Sequence, residues 1–156
     1  MKYIFRVLIF MVGVVVQWWG MTYFSFFGLS PQVLLVLTVV VASQAGPGVS
    51  LSLAFFWGLF LDALGAHLFG GNALALILTA YLIGALRRQM DVTNPLSQAM
   101  VAVIVSWVYF LFMAVLGLMF RGEAFWVGWT VFCFVPILNG LIAPIGFSFV
   151  QGFFKP

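Results

Sequence analysis

The chain has 156 residues, 65% of them hydrophobic and only 6% charged, with a mean hydropathy of +1.25. A soluble domain carries about 25% charged residues, so this composition excludes a water-covered globule, and with it any soluble catalytic domain; the solvent of the chain is a bilayer. The net charge of +3 comes from six basic and three acidic residues that lie at the ends of apolar runs, where they set orientation and form no nucleic-acid surface. Cys133 is the single cysteine, so no internal disulfide is possible.

A helix needs about 20 apolar residues to cross roughly 30 Å of hydrocarbon, which leaves room for five or six spans. The apolar runs are continuous and lack the period-two alternation of a barrel strand. The expected fold is therefore all-α, a single polytopic bundle over residues 1–156 with about six transmembrane helices. The first segment covers residues 4–24. It is expected to be a retained helix and not a cleaved signal, because the run continues into Gln17-Trp18-Trp19 without a small-residue cleavage site. Trp18, Trp19 and Tyr23 suit an interfacial belt. After Gly28-Leu29-Ser30-Pro31, segment two runs over 32–45 and is stopped by Gly46-Pro47-Gly48. Segment three covers 50–65, followed by a glycine-rich turn from Gly65 to Gly71, and segment four covers 72–86. The polar stretch from Arg87 to Pro95 is the clearest loop. Segment five covers 96–119, Arg121-Gly122-Glu123 make a turn, and segment six covers 126–151. Segments two and three are short for independent spans, so a partly re-entrant pair is an alternative that leaves the orientation unchanged. Pro136 and Pro144 each free a carbonyl, at Phe132 and Gly140, so segment six is expected to bend.

With six spans and a cytoplasmic N-terminus, the topology-setting residues Lys2, Arg6, Arg87, Arg88 and Lys155 all lie inside and only Arg121 lies outside, as the positive-inside rule requires. Five spans would split the basic clusters across the membrane. Both termini are expected in the cytoplasm, and Arg87-Arg88 is expected to meet anionic headgroups.

The residue that most demands a role is Asp62, the only acid in the first 90 positions, which follows an uncharged stretch from Val7 to Leu61. An acid within an apolar run is expensive to insert and faces a bundle interior, a partner or a polar cavity. Ala54, Gly58, Asp62 and Ala66 recur every four residues and so line one helix face. Small residues on that face allow close helix approach, which would shield Asp62 from lipid. The face, with Asn72, is the candidate helix-packing or partner-contact surface; the other reading hydrates Asp62 at the outer interface. His67 follows five residues later, and a proton relay with Asp62 is the less favoured role for it. Gln17 and Gln44 are expected to bond between helices or at an interface, and Asn139 to lie in the bend of segment six. One histidine, one cysteine and three carboxylates make no metal set, and no nucleotide or hydrolase motif occurs. No cofactor, metal or enzymatic activity is expected.

Several of these features together resemble the rod shape-determining MreD family of bacterial inner-membrane proteins. They are Pro31 opening a leucine- and valine-rich segment, Gly46-Pro47-Gly48, Gly58-Leu59-Phe60-Leu61-Asp62-Ala63-Leu64, Gly70-Gly71-Asn72-Ala73-Leu74, and Tyr81 and Gly84 before the basic pair. The likeness covers residues 31–88; beyond them only hydropathy matches. It implies a non-enzymatic multi-pass component of the cell-elongation machinery. Such a component binds MreC directly, works with MreB, RodA and the elongation transpeptidase, and helps organise peptidoglycan synthesis and rod shape. It also implies a fold similar to the substrate-binding component of energy-coupling-factor transporters. The rival expectation is thus a small-molecule (vitamin) binding subunit with an outward pocket near residues 65–72, where only His67 and Asn72 offer polar contacts.

Overall fold

The structure, a computed structural model, describes residues 2–23, 29–65, 68–91 and 93–154, all of whose regular elements are helices. They are α1 (Lys2–Tyr23), α2 (Val33–Gln44), α3 (Pro47–Leu64), α4 (Gly71–Leu86), α5 (Pro95–Arg121) and α6 (Trp129–Phe154). Three of these, α3, α5 and α6, are long and apolar enough to cross a bilayer. At 12 and 16 residues, α2 and α4 are only about 18 and 24 Å long.

The element boundaries follow local chemistry. Asn94 caps α5 by accepting a hydrogen bond from Leu96 N at 2.9 Å, with Pro95 in the first turn where its missing N–H costs nothing. Gly122, at φ 72°, closes the same helix in the left-handed conformation. Pro47 and Gly48, expected as a stop between segments, instead form the first turn of α3, which starts immediately after Gly46. Proline tolerates that position as well as it tolerates a turn, which is why the tripeptide alone does not place the boundary. Segment six starts at Trp129 and not at 126, because 124–128 is an irregular strip, tightened by a bond from Trp126 N to Ala124 O at 2.8 Å and folded back against α5. A Cβ at Gly117 would stand 2.6 Å from Glu123 O and 2.8 Å from Phe125 N, so only glycine lets that strip close.

The core is organised around α2. Its sequence is apolar on every side, and Val33 to Val36 and Thr38 to Ala42 are buried. A helix of that kind belongs inside other protein. It packs against α4 and α6 most heavily and against α1 and α3 besides, while α3 pairs with α4 and α5 with α6 as close antiparallel neighbours. The outer faces carry the opposite pattern. Ile104, Val108, Leu111, Val115 and Leu118 of α5 and Leu141 and Ile145 of α6 are large, apolar and exposed, as they are in helices whose outward solvent is lipid.

The proline bend of α6 is satisfied from the neighbouring helix. Pro136 leaves Phe132 O without its intrahelical donor, and the Trp107 indole N–H of α5 donates to it at 3.1 Å. Gly140 then allows α5 to close in, since a Cβ there would lie 2.8 Å from Val103 Cγ2 and 3.2 Å from Ala99 O.

Candidate functional site

Two short helices, α2 and α4, begin inside the bundle, and a helix start leaves four N–H groups without intrahelical acceptors. In a medium without water those donors need protein partners. The polar side chains of the apolar segments supply them.

At α4 the acceptor is Asp62, near the end of α3. Its Oδ1 accepts from Asn72 N and Asn72 Nδ2, both at 3.0 Å, and its Oδ2 accepts from Ala73 N at 3.1 Å. Gly71 N donates to Leu68 O and Leu74 N to Gly70 O, so the first turn of α4 is fully bonded. The positive end of the α4 dipole faces the carboxylate, which adds to the three hydrogen bonds. The arrangement depends on Gly58, one turn before Asp62: a Cβ there would lie 2.2 Å from Ala73 Cα and 2.6 Å from Ala73 N. Asp62 is 5% exposed, so hydration at an outer interface is replaced by capping inside the bundle.

The structure thus brings Gly58, Asp62 and Asn72 into one joint, with Ala54 wholly buried on the same face. At Gly58 and Asp62 that face packs against the start of α4 of the same chain. Ala66 and His67 lie outside the described residues, as does Lys155, and the side chains of Lys2 and Arg6 lie outside them too. Arg87 donates from Nη1 to Ala45 O at 3.0 Å, fastening the end of α4 to the α2–α3 joint, and Arg88 is exposed beside it.

At α2 the acceptors come from both ends of the chain. Gln17 Oε1 of α1 accepts from Leu34 N at 3.1 Å, and Asn139 Oδ1 of α6 accepts from Gln32 N at 2.8 Å. Asn139 is completely buried, and its Nδ2 donates to Ser106 Oγ at 2.8 Å; Ser106 in turn donates to Ala102 O at 2.7 Å. Gln17 therefore bonds between helices, as its sequence context suggests. Asn139 caps a helix more than 100 residues away, a role beyond a bend residue.

The two joints meet. Tyr109 of α5 donates its hydroxyl hydrogen to Asn72 Oδ1, so the α4 cap reaches α5. Gln32, Asn72 and Tyr109 line two adjoining cavities of about 250 and 520 Å³. Gln17, Leu61 and Leu64 wall the smaller; Phe110, Met113 and the aromatic strip Phe125-Trp126 wall the larger. Gln32 and Tyr109, both distant from residues 65–72 in sequence, were not legible as lining. Their only signal is a single polar atom at a helix start and on an otherwise apolar face. Gln44 Nε2 and Gln32 Oε1 are buried without a partner. Among the described residues no three His, Cys, Asp or Glu side chains converge as a metal set would.

No family model matches this chain, and no curated protein or solved structure does so either.

Proposed function

We propose that this chain is a non-enzymatic, multi-pass component of the bacterial inner membrane that serves cell elongation in the manner of the MreD family, binding MreC and helping to organise peptidoglycan synthesis. On this reading the bundle has six spans and both termini in the cytoplasm. The observation that carries the reading is the use to which the motif residues are put. Gly58, Asp62 and Asn72 build the α3–α4 joint, and Gln17, Ser106 and Asn139 build the joint around α2. Polar groups spent on holding helices together suit a scaffold, whose work is to present a fixed surface to other membrane proteins. The likeness to MreD in residues 31–88 supplies the partner.

The test is native co-purification. The protein is tagged at its C-terminus, solubilised mildly, crosslinked, and its partners identified by mass spectrometry. Recovery of a periplasmic coiled-coil protein together with cell-wall synthases is the expected result. Recovery of ATP-binding subunits with a coupling protein would favour the second reading, a substrate-binding subunit of an energy-coupling-factor type transporter. That reading draws its support from the paired cavities around Gln32, Asn72 and Tyr109, the larger of which falls within the size range of small-molecule sites. Its own test is a rise in melting temperature of the purified protein on adding a vitamin.

A further inference from the structure

At the end of the bundle that carries Arg87 and Arg88, α2 ends at Gln44. A cleft of about 320 Å³ lies there between the end of α2, the start of α3 and the last turns of α4. Small residues make up most of its walls, Ala42 from α2 and Ala80 and Gly84 from α4, with Ser50 and Leu51 from α3. A Cβ added at Gly84 meets nothing within 4 Å, so the cleft reaches the helix backbone. Tyr81, 64% exposed, stands at its edge.

The mouth of this apolar cleft is basic. Arg87 spends one guanidinium N–H on Ala45 O and keeps four others. Arg88 has no hydrogen bond or ion pair among the described residues, and no lining residue is acidic. Two guanidinium groups above a mostly apolar slot match one ligand chemistry: a phosphate for the bidentate guanidinium fork, joined to a hydrocarbon chain for the slot. A free phosphate ion would leave the slot empty, and a neutral lipid would leave Arg88 without its counter-charge.

We propose that this cleft is a binding site for one acidic phospholipid, its phosphate held by Arg87 and Arg88 and one acyl chain lying along Ala80 and Gly84. On the topology proposed above the site opens at the cytoplasmic leaflet, where acidic lipids attract basic residues. The site draws on no partner protein and stands independently of the cell-elongation reading.

Native mass spectrometry of the detergent-purified full chain tests it, with three probes titrated separately: phosphatidylglycerol, phosphatidylcholine of the same chains, and glycerol 3-phosphate. The expected result is retention of one phosphatidylglycerol in preference to phosphatidylcholine, with no retention of glycerol 3-phosphate. Arg88→Gln lowers that preference about fivefold, the effect of removing one basic residue near an anionic surface. Gly84→Leu fills the slot and abolishes retention, whereas Gly84→Ala leaves it intact. Equal retention of the two lipids overturns the proposal, as does glycerol 3-phosphate binding as tightly as the lipid, or Gly84→Leu retaining the lipid. Should Gly84→Leu fail to fold, the exposed Arg88 decides the matter through the Arg88→Gln titration alone.

Discussion

Asp62 holds three N–H groups at once, so its replacement is felt at the start of α4 and not at Asp62 alone. Asp62→Ala leaves Asn72 N, Asn72 Nδ2 and Ala73 N without acceptors in a buried site. Each orphaned group costs about 1–3 kcal/mol, so the loss is expected to be about 3 kcal/mol or more in total. Asp62→Asn keeps one amide oxygen for the Asn72 donors but turns an N–H₂ toward Ala73 N. The expected order of thermal unfolding in detergent, followed by circular dichroism, is wild type, then Asn, then Ala; equal midpoints for the Asn and Ala variants would show that the hydrogen bonds are not what Asp62 contributes. The importance of Asp62 was legible because a lone acid in an apolar stretch has few places to go, and Asn72 lay only ten residues on, across a single turn. Asn139 was equally isolated, but its partners Gln32 and Ser106 lie 107 and 33 residues away. Spacing along one helix carries no information about contacts of that range. Asn139→Leu removes the acceptor for Gln32 N and the donor to Ser106, and is expected to destabilise by about 2–4 kcal/mol, read in the same unfolding experiment.

Among the helices, the contrast between two glycines of neighbouring elements separates close packing from open space. Gly58→Ala drives a methyl into the Ala73 backbone and should cost at least the upper part of the usual overpacking range, about 3 kcal/mol. Gly84→Ala meets nothing and should stabilise α4 by up to about 1 kcal/mol through helix propensity. Both effects are read from unfolding midpoints, and matching shifts of one sign would contradict the α3–α4 geometry. The bend in α6 permits a sharper check. Trp107→Phe removes the donor to Phe132 O and is expected to cost about 1 kcal/mol. In a Pro136→Ala background residue 136 regains an N–H for that carbonyl, so Trp107→Phe should cost less there; a double-mutant cycle measures the difference. The bend itself was legible from Pro136 and Pro144. The tryptophan that completes it was not, because Trp107 reads as one more membrane-facing aromatic. The boundary of α3 was misread for a related reason: Pro47 and Gly48 are turn formers and first-turn residues alike, and only the cap at Gly46 decides between them.

For the molecule as a whole, the outer shell of leucine, isoleucine, valine and phenylalanine side chains marks a protein that lipid surrounds, and the polar groups have been drawn inward to helix starts. The helical class and the number of helices follow directly from the apolar runs. Crossing capacity does not distribute evenly, since α2 and α4 are much shorter than α5 and α6. The proposed topology predicts that a cysteine replacing Arg88, in a chain whose Cys133 has been changed to Ser, is blocked only by a thiol reagent that reaches the cytoplasm. A cysteine at Arg121 should be blocked by an impermeant reagent added outside. Labelling of both positions from one side would mean an odd number of crossings between them is wrong.

The two caps on α2 bear on the order in which the chain can be assembled. Gln17 is synthesised before α2, but Asn139 belongs to α6, so Gln32 N has its acceptor only after α6 has been made. Since α2 is also too short to span the hydrocarbon alone, it enters its final place as a late guest among helices that came after it. The start of α2 is therefore completed only once α6 is in place, and a nascent chain released before α6 would carry a buried helix with an unsatisfied start, the kind of defect that membrane quality control can recognise.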